Sequence, residues 1–194
     1  MLFLGTLMMF SMEVFPQDSW KIALNKEGIV VYTKNENGSD FKSFKGIVSI
    51  KAPKELIIEL LKDGDNYKNW YAYTKNSKLL KKEEGVQFTY VETNFPWPFR
   101  NRDMVYSMTI DTSDAQKAKV NLTGLRDYIP EKKGIVRMDK AEGYILLEEI
   151  NDKTKITYEF HSNPGRGIPT RLANRSIAEL PFKTLQGLRN IAEK

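Results

Sequence analysis

Short runs of hydrophobic and β-branched residues, separated by turn residues, fill most of the chain. The run GIVVYTK begins at Gly28 and is followed by Asn37-Gly38 and then by FKSFKGIVSI. Because Asn-Gly favours a two-residue turn, this order predicts an antiparallel hairpin. Further along, Pro53 precedes apolar residues at helical spacing as far as Asp63-Gly64, which predicts one short amphipathic helix.

Seven further runs have the pattern of β-strands, and turn residues such as Gly85 and Asn151-Asp152 separate them. They fall at about residues 76–82, 86–95, 102–111, 117–124, 134–139, 143–150 and 155–162. Their short connections favour an antiparallel meander. A helical pattern then runs from Pro169 to the C-terminus and contains Pro181, which predicts one long helix with a kink.

This order of elements predicts an α+β fold, and a chain of 194 residues suits one domain with one core. A long curved sheet that closes on one helix buries the apolar side of that helix against its concave face. Where the helix does not fill the concavity, an apolar cavity remains. The pattern therefore allows an apolar cavity between the sheet and the C-terminal helix.

The first ten residues, MLFLGTLMMF, are apolar. This run is too short to span a bilayer of about 30 Å, but it has the length of the hydrophobic region of a signal peptide. A basic start is missing, and Glu13-Val14-Phe15-Pro16 is a poor cleavage site. We expect residues 1–19 to form an apolar leader, either a signal peptide, a membrane tether or a helix packed on the domain. Export and a cytoplasmic location both stay open, and residues 20–194 form the domain.

Composition narrows the possible chemistry. The chain has no Cys, which excludes disulfides, thiolate nucleophiles and cysteine-based zinc sites, and His161 is its only histidine. Its net charge is +5, and residues 162–194 carry six Lys or Arg against two Glu. This asymmetry is typical of a solvated helix face, and the alternative is transient contact with an anionic membrane surface. We expect no nucleic-acid partner, because basic and aromatic residues do not interleave in a recognition pattern.

Phe95–Tyr106 reads FPWPFRNRDMVY, and Asn163–Pro169 reads NPGRGIP. Trp20 with GIVVY, Trp70 and the GIVR around Arg137 also occur in the order typical of one family. The set resembles the START lipid-transfer family over about residues 20–194. The resemblance implies a helix-grip fold, a curved antiparallel sheet wrapped around a long C-terminal helix. It also implies a lipid bound in a cavity under that helix, without a cofactor, a metal or covalent chemistry. We expect the protein to be a monomer.

Side-chain parity selects candidate ligand contacts on two strands. On the strand that begins at Arg102, every second residue up to Ile110 shares one face, and the resemblance places that face inside the cavity. On the preceding strand the resemblance selects Thr89, Val91 and Thr93. Composition alone instead favours Phe88 and Tyr90 as the buried set, and we follow the resemblance. The ligand-binding candidates are Tyr67, Trp70, Tyr71, Thr89, Val91, Thr93, Arg102, Met104, Tyr106, Met108, Ile110, Leu172, Ile177 and Leu180.

Two positions bear on the ligand. Within the resemblance, sterol-binding relatives carry a basic residue where this chain has Met108, and a phosphatidylcholine-binding relative uses an Arg where it has Tyr67. An anionic headgroup buried without a cation would be costly. We therefore expect a neutral or weakly polar lipid, with Tyr67 and Tyr71 supplying hydroxyls. Arg102 either caps a polar group of that lipid or holds the adjoining loop.

An enzyme on the same fold, such as a polyketide cyclase or aromatase, is the alternative function. It would need titratable groups inside the cavity, which only Arg102, Glu92, Tyr67, Tyr106 and His161 could supply. His161 lies at the end of a predicted strand just before the Asn163-Pro164-Gly165 turn, and we expect a structural role for it rather than catalysis. We assign no catalytic residue and no metal ligand, and we expect the protein not to be an enzyme.

Overall fold

Ten strands form a single sheet in this computed structural model, which describes residues 19–194. The leader expected over residues 1–19 lies outside the described residues except for Ser19, and it stays a prediction. The strands are β1 Lys21–Lys26, β2 Ile29–Glu36, β3 Ser39–Ile50, β4 Thr74–Glu83, β5 Val86–Thr93, β6 Arg102–Asp111, β7 Lys117–Leu125, β8 Val136–Arg137, β9 Lys140–Ile150 and β10 Lys153–Asn163.

The sheet runs in the order β1-β2-β3-β10-β9-β7-β6-β5-β4, and all of these neighbours are antiparallel. The Asn37-Gly38 turn of the predicted hairpin joins β2 to β3, with Gly38 at a φ of 76°. Because the last strand, β10, pairs with β3, the first and last parts of the chain lie side by side. The chain therefore forms a curved antiparallel sheet, which confirms the predicted fold class.

Two strand predictions need correction. The strand expected at 134–139 shrinks to β8, whose two residues pair in parallel with the start of β6. It ends there because the Met138 amide is the last to donate toward β6, at the carbonyl of Asp103, whereas the Asp139 amide donates to the carbonyl of Asn163. The unpredicted β1 is an edge strand with mostly exposed side chains, so no hydrophobic alternation marks it.

The helices are α1 Lys54–Lys62, α2 Thr170–Ser176 and α3 Glu179–Ala192, and a short 3-10 helix spans Gly64–Asn69. The single kinked terminal helix that the sequence predicts is instead two helices, with the break at Ile177-Ala178. Pro181 explains the position, because it has no N–H to bond the carbonyl of Ile177 but is tolerated in the first turn of a new helix. Within residues 19–194 no helix is long and apolar enough to cross a membrane.

Two glycines allow α3 to lie close to its neighbours. A Cβ on Gly46 of β3 would lie 2.7 Å from the Leu185 side chain, and one on Gly187 of α3 would collide with the carbonyl oxygen of Trp70. Leu185 and Leu188 of α3 are each 1% exposed, so this helix supplies part of the core. The helix is thus held against the concave face of the sheet and against the loop that carries Trp70.

We predict that Gly187→Ala lowers the free energy of unfolding by about 1–3 kcal/mol, the usual cost of overpacking. The loss should exceed the roughly 1 kcal/mol that Ala gains over Gly as a helix former. Urea denaturation measures the difference. The matched control is Asn190→Ala, at an exposed position of the same helix, which should stay within about 0.5 kcal/mol of the wild type. A Gly187→Ala variant as stable as the wild type would show that α3 and the Trp70 loop are not in tight contact.

Candidate functional site

A cavity of about 590 Å³ lies between the concave face of the sheet and the C-terminal helices. Its volume falls in the range of small-molecule binding sites. Most of its lining is aromatic or aliphatic, and Glu179 is the only charged residue among the described residues that line it. The deep aromatic contributors that sequence reasoning missed are Phe44, Tyr158 and Phe160. The alternation of Ile156, Tyr158 and Phe160 along β10 was the signal that could have found them.

Most of the predicted ligand contacts come together around this cavity. Those that line it are Tyr67, Trp70, Tyr71, Thr89, Val91, Thr93, Tyr106, Met108, Leu172, Ile177 and Leu180. The remaining three, Arg102, Met104 and Ile110, do not line it. Of the eleven that line it, the 3-10 helix and the loop after it supply Tyr67, Trp70 and Tyr71. Strands β5 and β6 supply the five from Thr89 to Met108, and the C-terminal helical segment supplies Leu172, Ile177 and Leu180.

The inward register of β5 is the one that the resemblance selects. Thr89, Val91 and Thr93 line the cavity, whereas Phe88 and Tyr90 lie on the opposite face. Those two aromatic rings are nevertheless covered, because Phe88 stacks on Tyr128 with ring centroids 4.9 Å apart and Lys132 lies 3.7 Å from the Tyr90 centroid. Composition misled here because the loop between β7 and β8 buries part of the convex face.

Arg102 is buried, but its guanidinium binds backbone carbonyls and does not line the cavity. Its Nη2 donates to the carbonyl of Arg166 at 3.2 Å and its Nε to that of Pro164 at 3.4 Å. A third donor bonds the carbonyl of Arg100, and the guanidinium lies 4.4 Å from the centroid of the Phe95 ring. These contacts join the segments on either side of the cavity, so the loop-holding alternative describes its place in the structure.

Met104 and Ile110 lie outside the cavity for different reasons. Met104 is 1% exposed, and its methyl group lies 3.1 Å from the position that a Cβ on Gly124 would take, so it packs between strands. Ile110 lies farther along β6, beside a second depression near Lys62 and Lys82. The parity of β6 was read correctly, but the cavity extends along only the middle of the strand.

The tyrosine hydroxyls in the cavity have different partners. The Tyr67 hydroxyl donates to the carbonyl of Leu61, so it does not offer the free hydroxyl expected of it. The Tyr71 and Tyr158 hydroxyl oxygens lie 2.6 Å apart, and the Tyr106 hydroxyl lies 3.8 Å from the Met138 sulfur. Burial raises the pKa of Tyr71, Tyr106 and Tyr158, which keeps the phenols uncharged at physiological pH.

The cavity reaches the surface at what we call the mouth, formed by residues 94–99 and helix α2. Leu172 of α2 lines the cavity and is 42% exposed, and Trp97 is 93% exposed. Helix α2 buries none of its side chains. Its Asn174 accepts from the Lys42 amide at 2.9 Å and donates to the Asp40 carbonyl at 2.9 Å. This side chain therefore fastens α2 to the start of β3.

Comparison with known proteins places this architecture in a family. The family described as START domain matches residues 11–193 of the chain. The chain belongs to the START domain family. A crystal structure of a STAR-related lipid transfer protein from Xanthomonas axonopodis superposes on it with a TM-score of 0.86 at 36% identity, covering 91% of this chain and all of that one.

Two curated proteins extend the comparison. An uncharacterized protein of Pseudomonas aeruginosa is 34% identical over 91% of this chain and 88% of its own length. The phosphatidylcholine transfer protein of Mus musculus is 27% identical over 80% of this chain and 75% of its own. This START domain is thus similar to bacterial and mammalian proteins over most of their lengths.

The remaining titratable candidates lie away from the cavity of this START domain. Glu92 points to the convex side, where it accepts from Asn101 at 2.7 Å and pairs with Lys75 at 3.2 Å. His161 does not line the cavity. Its Nδ1 lies 3.2 Å from the Ser43 hydroxyl, which donates to Glu36 at 2.5 Å. Over the described chain, no cluster of three His, Cys, Asp or Glu residues could hold a metal ion.

The single histidine gives a pH prediction. Burial lowers the pKa of His161 below its usual 6.5, and this effect outweighs the attraction of Glu36 and Glu142 for its proton. Near that pH the unfolded chain therefore binds more protons than the folded chain, and stability should fall as pH decreases through about 6.5. Urea denaturation between about pH 7.5 and 5.5 measures the slope, and His161→Gln should flatten it. Equal slopes in both proteins would contradict the assignment.

Proposed function

We propose that this protein binds one neutral or weakly polar lipid in its cavity and carries it between membranes. The observation that carries the proposal is the lining, in which Glu179 is the only charged residue contributed by residues 19–194. That carboxylate is exposed at the start of α3, where it accepts from the Tyr73 hydroxyl at 2.7 Å and faces Lys183 at 3.8 Å. The deep part of the cavity therefore suits an apolar body, because burying a charge there would be unfavourable.

The relatives support a lipid as the ligand, and the lining narrows its class. The names of the similar proteins speak of lipid transfer and of phosphatidylcholine transfer. A phospholipid would bring a phosphate, and within the described part of the chain no cation lines this cavity to pair with it. Arg102 is the buried guanidinium nearest in sequence to the β6 residues that line the cavity. It already donates to backbone carbonyls. A lipid without a buried charge fits these residues better.

We also propose that the protein is not an enzyme. A cyclase or aromatase would need titratable groups facing its substrate. Glu92 and His161 face the convex side, and Arg102 bonds backbone carbonyls. Tyr67 and Tyr106 do line the cavity, but burial raises both phenol pKa values and makes them weak acids. The arrangement supports binding without covalent chemistry.

Loading would take place at the mouth, on an anionic membrane, with the protein as a monomer. Trp97 extends from the loop beside the cavity, and an indole is favoured at a membrane interface. Arg171 and Arg175 are exposed on α2, where they can attract anionic headgroups. Because α2 buries no side chain and is separated from α3 by the break at Ile177-Ala178, it is the segment that can move to admit the lipid.

Whether a lipid occupies the cavity can be tested with a substitution that fills the cavity with a large side chain. Leu122 lines the cavity from β7, whereas its neighbour Asn121 is exposed on the other face. We predict that Leu122→Trp reduces the amount of lipid per protein at least several-fold when the purified protein is extracted and the lipid is measured by mass spectrometry. Asn121→Trp adds the same side chain outside and should carry as much lipid as the wild type. A wild type that carries no lipid and binds no apolar fluorescent probe would refute the proposed function.

Membrane contact needs a separate measurement. We predict that Trp97→Ala weakens binding to vesicles containing phosphatidylserine, as seen by co-sedimentation, and that added salt weakens binding of the wild type. Ile22→Ala is the matched control, because it removes an exposed apolar side chain from the edge strand β1. Equal loss in the two variants, or binding that is independent of both Trp97 and salt, would show that the mouth is not the contact surface.

A further inference from the structure

Three hydroxyl groups enter the cavity lining from separate parts of the chain. Tyr71 follows the 3-10 helix, Tyr106 lies in the middle of β6, and Tyr158 lies in β10. The surrounding lining is largely aromatic and aliphatic, with Phe44, Phe160 and Met138 among the neighbours. Polar atoms placed in such surroundings are costly unless they find hydrogen-bond partners.

The protein itself uses only part of the donor capacity of these hydroxyls. The Tyr71 and Tyr158 oxygens lie 2.6 Å apart, so one O–H donates to the other oxygen and one O–H is left over. The partner of the Tyr106 hydroxyl is the Met138 sulfur at 3.8 Å, and a thioether is a weak acceptor. Among residues 19–194 no carbonyl or carboxylate accepts from any of the three. Two donors therefore remain for a guest.

Ring packing holds these hydroxyls in position before any guest arrives. Tyr158 meets Phe44 edge-on, with centroids 5.0 Å apart, and Phe160 lies between Tyr158 and Tyr106 at 5.8 and 6.1 Å. Tyr71 packs against Trp70 at 5.6 Å. Groups that are fixed in this way lose little conformational freedom on binding, which favours affinity.

We propose that the hydroxyls of Tyr71, Tyr106 and Tyr158 form a polar subsite that recognises one uncharged oxygen of the bound lipid, either a hydroxyl or a carbonyl. The proposal rests on the proposed function, since it requires a lipid in the cavity. A carbonyl oxygen can accept from both free donors, and a hydroxyl can accept from one and donate to a phenol oxygen. A pure hydrocarbon would leave the donors unpaired, whereas a carboxylate would be buried without a cation.

The ligand class can be tested with four matched twelve-carbon compounds, namely 1-dodecanol, 2-dodecanone, dodecane and dodecanoate. Each competes with the uncharged fluorescent probe N-phenyl-1-naphthylamine for the purified protein, and the apparent Kd is obtained from displacement. The informative quantity is the ratio of the dodecane Kd to the dodecanol or dodecanone Kd within one protein. Taking this ratio in each variant cancels general effects on apolar binding.

We predict that Tyr106→Phe lowers this ratio about 3- to 10-fold, the range for one neutral hydrogen bond. The double variant Tyr71→Phe with Tyr158→Phe should lower it by a similar factor. Both tyrosines are replaced because either phenol alone can still donate. Binding of dodecane itself should stay the same or become tighter. Tyr144→Phe is the control, since its hydroxyl donates to Glu159 on the convex face. Thermal unfolding of each variant shows whether the fold is retained.

The outcomes separate the two proposals. If the wild type binds neither the probe nor any of the four compounds, both the lipid-binding function and the subsite are refuted. If it binds them but the Tyr→Phe variants leave the ratios unchanged, only the subsite is refuted. Dodecanoate binding more tightly than dodecanol in the wild type, and equally in the variants, would also overturn the subsite. A fall in the ratio confined to the cavity variants would support it.

Discussion

The structure depends on the contact between helix α3 and the concave face of the sheet. That contact can be close because Gly46 on β3 carries no Cβ where Leu185 approaches, and Gly187 on α3 likewise allows the close approach of the Trp70 carbonyl. Helix α3 nevertheless does not fill the concave face. Its buried side chains fill one part of the space, and the remainder stays open as the cavity beneath α2 and the Phe95 loop.

The convex face has a structural task of its own. Arg137 is 3% exposed, and its guanidinium forms two hydrogen bonds of 2.8 and 3.2 Å with Asp103. It also donates to the carbonyls of Ile129 and Pro130, which fastens the loop between β7 and β8 over the sheet. Removing one partner of a buried pair of this kind leaves an uncompensated charge, so the loss of either side chain would destabilise the wall of the cavity from outside.

Charge and hydrogen-bonding capacity are distributed differently across the molecule. The guanidinium groups of Arg102 and Arg137 donate hydrogen bonds to backbone carbonyls and to Asp103. His161 lies outside the cavity, beside Ser43. Inside, the polar atoms are mainly hydroxyls, of which Tyr71, Tyr106 and Tyr158 keep spare capacity. The interior of this START domain is therefore apolar and uncharged, but these three hydroxyls can still form hydrogen bonds.

The amino-acid pattern by itself determined most of the element order, the α+β class and, through the FPWPFRNRD and NPGRGIP segments, the family. Local sequence can do this because strand alternation, turn residues and helix spacing act over a few residues. It also determined the parity of β6, so Tyr106 and Met108 were placed correctly along the cavity while Met104 and Ile110 were not.

Only the tertiary structure decided where the cavity begins and ends, and which hydroxyls stay free. The side that β5 turns inward depends on a distant loop that covers Phe88 and Tyr90, and the Tyr67 hydroxyl is occupied by a carbonyl of α1. The Tyr71–Tyr158 pair joins residues 87 positions apart. Contacts at such separation arise from how the sheet curves around α3, and no window of the sequence encodes that curvature.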